Sequence, residues 1–251
     1  MDSIWMVLLL SLLPGAGNFI GGMLAEFGKT SQQRLNWALH AASGIVIAIV
    51  AIELIPEALN SLAGWWIALA FAAGGCTYVL VEWGIERIQR KNQNKNRTGM
   101  WMIYIAVAID LISDGLMIGT GSAVSSSLAV VLAAGQVMAD LPEGYAAVAN
   151  FRDKNVPRKR RILLSASFFL FVIGAALGSY FLLRTAPEPA KLGALVFVAG
   201  LLTVAAVEDM MKEAHEAHED SRRSILAFIG GFTLFTLVSA GMKSLLGGAG
   251  S

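Results

Sequence analysis

The stretch IAVAIDLISDGLMIG, residues 105–119, is apolar enough for a membrane interior yet holds two aspartates, Asp110 and Asp114. They stand four apart, so on a helix both side chains fall on one face. A charged side chain at the middle of a membrane helix costs about 2.5–3.5 kcal/mol on insertion scales, and such residues usually pair, bind or relay. The following apolar stretch, GQVMADLPEGYA at 135–146, holds a second pair, Asp140 and Glu143, three apart and also on one face. The two pairs can converge across one helix pair. No lysine or arginine stands at comparable depth in the helices predicted below. The counter-charge is then a proton or a bound divalent cation, and alternation of the two would couple metal to protons. Pro142 has no amide N–H, which leaves the carbonyl of Met138 open as an oxygen ligand; the Met138 thioether is a softer one. Gly115 and Gly144, each directly after an acid, let another backbone or an ion come close. Protonated and kept only for packing, these acids would be expensive.

The rest of the chain shares this character. Of 251 residues, 56% are hydrophobic and 15% charged, against about a quarter charged in soluble domains. About 20 apolar residues cross a bilayer core about 30 Å thick, and eight stretches qualify: 4–26, 36–59, 64–85, 99–121, 126–150, 162–183, 189–211 and 223–246. The expectation is an all-α membrane protein with eight transmembrane helices in a 3+2+3 arrangement, forming one transmembrane domain over 1–251. The first stretch has no basic segment before it and carries Asp2 ahead of its apolar run, so it reads as a retained helix rather than a signal peptide. Lysine and arginine fall in alternate connections: Lys29 and Arg34, Arg87 to Arg97, Arg152 to Arg161, then Lys212, Arg222 and Arg223. Arg184, Lys191 and Lys243 lie on the other side. The positive-inside rule makes 86–98 and 151–161 basic cytoplasmic loops and puts both termini outside the inner or plasma membrane. A net charge of +1 gives no case for nucleic acid. The lone Cys76 permits neither an intrachain disulfide nor a thiolate metal site. Runs of small residues, Ala72 to Gly75 and Gly174 to Gly178, allow close helix contact, either within the bundle or at a homodimer face.

Two further helices carry acids. AIVAIELIPEALN at 48–60 places Glu53 and Glu57 four apart, and AAVEDMMKEAHEAHED at 205–220 places Glu208 and Asp209 at the cytoplasmic end of its helix. These make acidic mouths on either side of a central site, with Glu57 and Glu213 equally readable as solvated helix termini. His215 and His218 form an HxxH pair among acids, read chiefly as a solvated linker, and His40 is read as a lone helix-end residue.

At these residues the chain resembles the ZIP (Zrt/Irt-like) family of metal transporters. ELIPEA from Glu53 is similar to that family's HLIPEA, DLISDG from Asp110 to HNFIDG, ADLPEG from Ala139 to HExPEG, and VEDMMKEA from Val207 to the acidic end of its seventh helix. The resemblance implies a binuclear centre bridged by Glu143, with Asp110 and Asp114 on one metal and Asp140 on the other. Asp110 takes the place of a histidine. Leu111 stands where the family often has Asn, and Phe171 where many members carry a Glu, which weakens or removes the second site. The resemblance makes zinc the first expectation. Oxygen ligands also suit manganese, iron, cadmium or cobalt, and suit hard ions better than imidazole does.

The reading is a transporter, not an enzyme. It moves a divalent metal towards the cytoplasm: Glu53 and Glu57 gather ions, Asp110, Asp114, Asp140 and Glu143 hold them with Met138 in reach, and Glu208 and Asp209 receive them. An intramembrane metal-dependent hydrolase is the alternative, but the helix centres lack the histidines it would need. A transport-incompetent metal sensor is another, supported by Leu111 and Phe171.

Overall fold

The computed structural model describes residues 3–28, 31–90, 95–217 and 221–248. These form long helices joined by short connections: α1 Ser3–Phe27, α2 Gln32–Leu59, α3 Gly64–Arg90, α4 Lys95–Val124, α5 Ser126–Asp153, α6 Arg158–Leu183, α7 Glu188–Ala217 and α8 Arg222–Gly248. No strand occurs among the described residues. Seven of the helices are long and apolar enough to cross a membrane. The one that is not is α5, whose Gln136, Asp140 and Glu143 dilute its apolar content. The polar side chains that disqualify it by composition are those of greatest chemical interest. Large apolar side chains on α3 and α8, among them Trp65, Leu80, Leu226 and Leu237, face outward, a surface that lipid accommodates and water does not. The chain is a multi-pass membrane protein.

The helices outrun the expected spans where the sequence is polar. α3 continues to Arg90 and α4 begins at Lys95, so the segment 86–98 read as a loop is helical on both sides of residues 91–94, which lie outside the described residues. The turn between α5 and α6 is Lys154 to Pro157, with Asn155 at φ 56°, in the left-handed region that asparagine tolerates. Two arginines of the adjacent basic run are structural. Arg161 donates to both carboxylate oxygens of Glu26 at 2.8 and 2.6 Å, and Arg158 stands 3.3 Å from the same group. They fasten the start of α6 to the end of α1.

α1 packs along α5, α6 along α4, α2 along α8 and α3 along α7. Glycine sets three of these contacts reciprocally, the first between α1 and α5, where a Cβ on Gly21 would stand 1.8 Å from the Leu141 carbonyl oxygen and one on Gly144 1.9 Å from that of Asn18. A Cβ on Gly44 would stand 2.1 Å from the Phe228 carbonyl oxygen, and one on Gly231 2.0 Å from that of Ala41, so α2 and α8 touch backbone to backbone. Gly74 and Gly200 do the same for α3 and α7, against Phe197 and Phe71. Such contacts let helices associate where lipid removes the hydrophobic driving force. α2 and α7 run antiparallel in close register: Asn36 Nδ2 donates to the Ala214 carbonyl at 2.9 Å, and Ser43 Oγ to that of Ala206 at 3.2 Å. Each of the two has a π-helical turn, Ile49–Leu54 in α2 and Ala206–Met210 in α7. Such turns widen a helix and often sit at functional positions. Here they hold Glu53 in one helix and Glu208 and Asp209 in the other.

Candidate metal centre

α4 and α5 reverse through a single residue, Ser125, whose extended backbone ends one helix and whose Oγ accepts from the Leu128 N–H at 3.1 Å to start the next. The tight reversal sets residues equidistant from it at the same height on the two helices, and those on the facing sides meet. Asp114 lies eleven residues before Ser125 and Gln136 eleven after; Asp110 and Asp140 stand fifteen before and fifteen after. Oxygens of Asp110, Asp114 and Asp140 accordingly lie within 4.8 Å of one another. Ligands sharing one divalent ion at about 2.0–2.6 Å stand no more than about 5 Å apart, so the cluster matches that scale.

The cluster is sealed within protein. Asp114 and Asp140 are 0% exposed, Asp110 4% and Glu143 7%. Two unit charges 4 Å apart repel by about 4 kcal/mol at an effective dielectric of about 20. Asp110 Oδ2, Asp114 Oδ2, Asp140 Oδ2 and Glu143 Oε2 are buried with no hydrogen-bond partner among the described residues. Other oxygens of the cluster are engaged: Gln136 Nε2 donates to Asp114 Oδ1 and, at 3.4 Å, to Asp140 Oδ1, and the acids meet one another pairwise, Asp110 with Glu143 and Asp114 with Asp140. Acids buried this close together without a basic side chain beside them need protons or a cation to balance them. The glycines after the acids admit backbone: a Cβ on Gly115 would stand 2.4 Å from the Val172 carbonyl oxygen of α6, and one on Gly144 1.9 Å from that of Asn18 in α1. α6 and α1 thereby press on the pair from outside. Both amide atoms of Asn18 are themselves buried without partners among the described residues.

The other expected residues are not gathered here. Glu53 is buried in α2 but engaged elsewhere: Ser239 Oγ donates to its Oε1 at 2.5 Å and Lys243 Nζ lies 3.0 Å from its Oε2. Lys243 on α8, read from sequence with Arg184 and Lys191 on the outer side, is thus the counter-charge of this acid. Glu57 is exposed at the end of α2. Met138 is half-buried and packs against the apolar core. Asp209 accepts from the Tyr78 hydroxyl, and Glu213 from Asn150 Nδ2. With Glu208 and Glu82 these line a cavity of about 330 Å³ at the Ala217 end of α7. His40 is not alone: its ring lies edge-on to that of His215, centroids 5.7 Å apart, and each Nδ1 meets the carbonyl four residues earlier, Asn36 at 2.8 Å and Met211 at 2.5 Å. His218 lies outside the described residues.

Where a second ion was in question, the surroundings are apolar. Leu111 is fully buried, and Phe171 packs into the same cluster with Val107, Phe168 and Val172. Sequence reasoning missed Gln136, Tyr78, Asn150, Ser239 and Lys243 as partners. For Gln136 the signal was present: it precedes Asp140 by four residues and so shares its face.

A multi-pass membrane protein with a buried carboxylate cluster is the class that fold and site define. No family model matches the chain. A zinc transporter of Akkermansia muciniphila, ZupT, is 39% identical to it over 82 residues, which is 30% of this chain and 30% of that protein.

Proposed function

We propose that this chain is a divalent metal transporter of the ZIP type, with zinc as the first candidate substrate. Three aspartate carboxylates within 4.8 Å of one another, buried in the membrane-spanning part of the fold with unpartnered oxygens, carry the reading. The name of the partial relative agrees with it. On this reading α5 is the eighth span, α4 and α5 form a central pair between two triplets, and both termini lie outside the cell membrane. Asp110, Asp114 and Asp140 hold one ion, with Glu143 at the edge of the cluster. Glu208, Asp209 and Glu213 receive it at the cytoplasmic cavity, and Glu57 gathers ions at the opposite mouth. The Leu111 and Phe171 surroundings favour one ion in the centre. Metal uptake into proteoliposomes tests the proposal. Asp114→Ala and Glu143→Ala should each lower it by more than about tenfold, since disturbing even indirect supports of a metal site costs about 10–100-fold. Unchanged uptake in both variants would overturn it.

A further inference from the structure

Building on the transport reading, we infer that Gln136 is a specificity residue of the centre, whose side-chain amide holds the aspartates apart from each other's charge and then turns its oxygen onto the ion.

Gln136 is 0% exposed and sits on α5 directly across from Asp114. Both of its N–H groups are committed to carboxylates, one on each helix of the central pair. Its Oε1 is buried with no partner among the described residues. An amide so placed has two electrostatic states. Facing bare carboxylates, it must present N–H, because a carbonyl oxygen there would add to the repulsion. Facing a cation held between the same carboxylates, it must present oxygen, because N–H dipoles would then oppose the ion. A half-turn of the terminal torsion exchanges the two, and this torsion is broad and soft in glutamine.

The consequence is chemical selectivity. An amide oxygen is a hard, neutral ligand of the kind that suits manganese, magnesium and calcium as well as zinc, whereas imidazole favours zinc and its neighbours. Being uncharged, it adds a ligand without adding to the anionic charge that must release the ion. Its N–H groups also partly offset the carboxylate charge that a cation would otherwise balance alone, so an arriving ion displaces hydrogen bonds rather than entering an unscreened acidic cavity.

The full chain in proteoliposomes, offered Zn²⁺ and Mn²⁺ separately and in competition, tests this. Gln136→His should raise the preference for Zn²⁺ over Mn²⁺ by about tenfold, by replacing a hard oxygen with a nitrogen. Gln136→Glu, nearly the same shape, should lower the half-saturating concentration of both ions and their maximal rates together, because the added charge tightens binding and slows release. Gln136→Leu should raise the half-saturating concentration of both. If the isosteric glutamate variant and the histidine variant both fold, transport as fast as the parent and keep its Zn²⁺-to-Mn²⁺ ratio within about twofold, Gln136 only props the aspartates and the inference fails. Absence of uptake by the parent chain would instead refute the transport reading itself.

Discussion

The two π-helical turns differ in the company their acids keep. In α2, Glu53 is buried and tied to α8 by a serine hydroxyl and a lysine ammonium. In α7, Asp209 has a tyrosine hydroxyl from α3, and the adjoining Glu208 is exposed beside a cavity. The antiparallel register of α2 and α7 places residue 209 of one near residue 40 of the other, so the two acids stand about 20 Å apart along the axis at 1.5 Å per residue. The central aspartates belong to the helix pair packed against both. On the proposed reading the Glu53 end is the closed one, tied by its salt bridge, and the other opens onto a cavity lined by acids and Lys212. On that reading, equivalent backbone devices at the two ends do not make equivalent mouths: the side chains of α8 and α3 decide which is shut.

The backbone likeness is the part of the comparison that a substitution can break most completely. Gly44→Val and Gly200→Val should each cost more than about 3 kcal/mol of stability, beyond the usual 1–3 kcal/mol of overpacking because the clash is with backbone, and both should be read as lost folded protein in detergent. A large loss from one alone would mean that the two helix contacts are not equivalent. Next in size is the salt bridge. Lys243→Gln should destabilise by about 1–2 kcal/mol, less than the 3–5 kcal/mol for a fully buried pair since Lys243 is 55% exposed. A Glu53→Gln, Lys243→Gln double variant should recover part of that loss in thermal unfolding. The smallest effect belongs to the open end: Tyr78→Phe should cost about 1 kcal/mol, the worth of one hydrogen bond, with uptake near that of the parent. If Tyr78→Phe alters uptake more than Lys243→Gln, the assignment of closed and open ends is reversed.

Much of this was legible from residue order. Long apolar runs gave the helices, and spacings of three and four gave the paired acids, because both are properties of a single helix. The ends of α3 and α4 ran further than hydropathy suggested, since Arg, Gln, Lys and Asn extend a helix into water at little cost. What escaped was pairing between helices far apart in sequence. Glu53 and Ser239 are 186 residues apart, and no local pattern ties them; the same holds for His40 and His215, and for Tyr78 and Asp209. Gln136 escaped for another reason: it is uncharged, so a search for buried charge passed over it, although the Ser125 reversal placed it opposite Asp114.

The apolar packing of Leu111 with Phe171 bears on how an ion would leave. Many conducting pores pass ions by knock-on, one occupant expelling the next by mutual repulsion. On the proposed reading, a centre walled by Leu111 and Phe171 where a neighbouring ion would stand has no such helper. On the proposed reading, departure is then left to the protein: the carboxylates must take up protons or move apart before the ion goes. Turnover would be paced by rearrangement of the helices rather than by the crowding of ions.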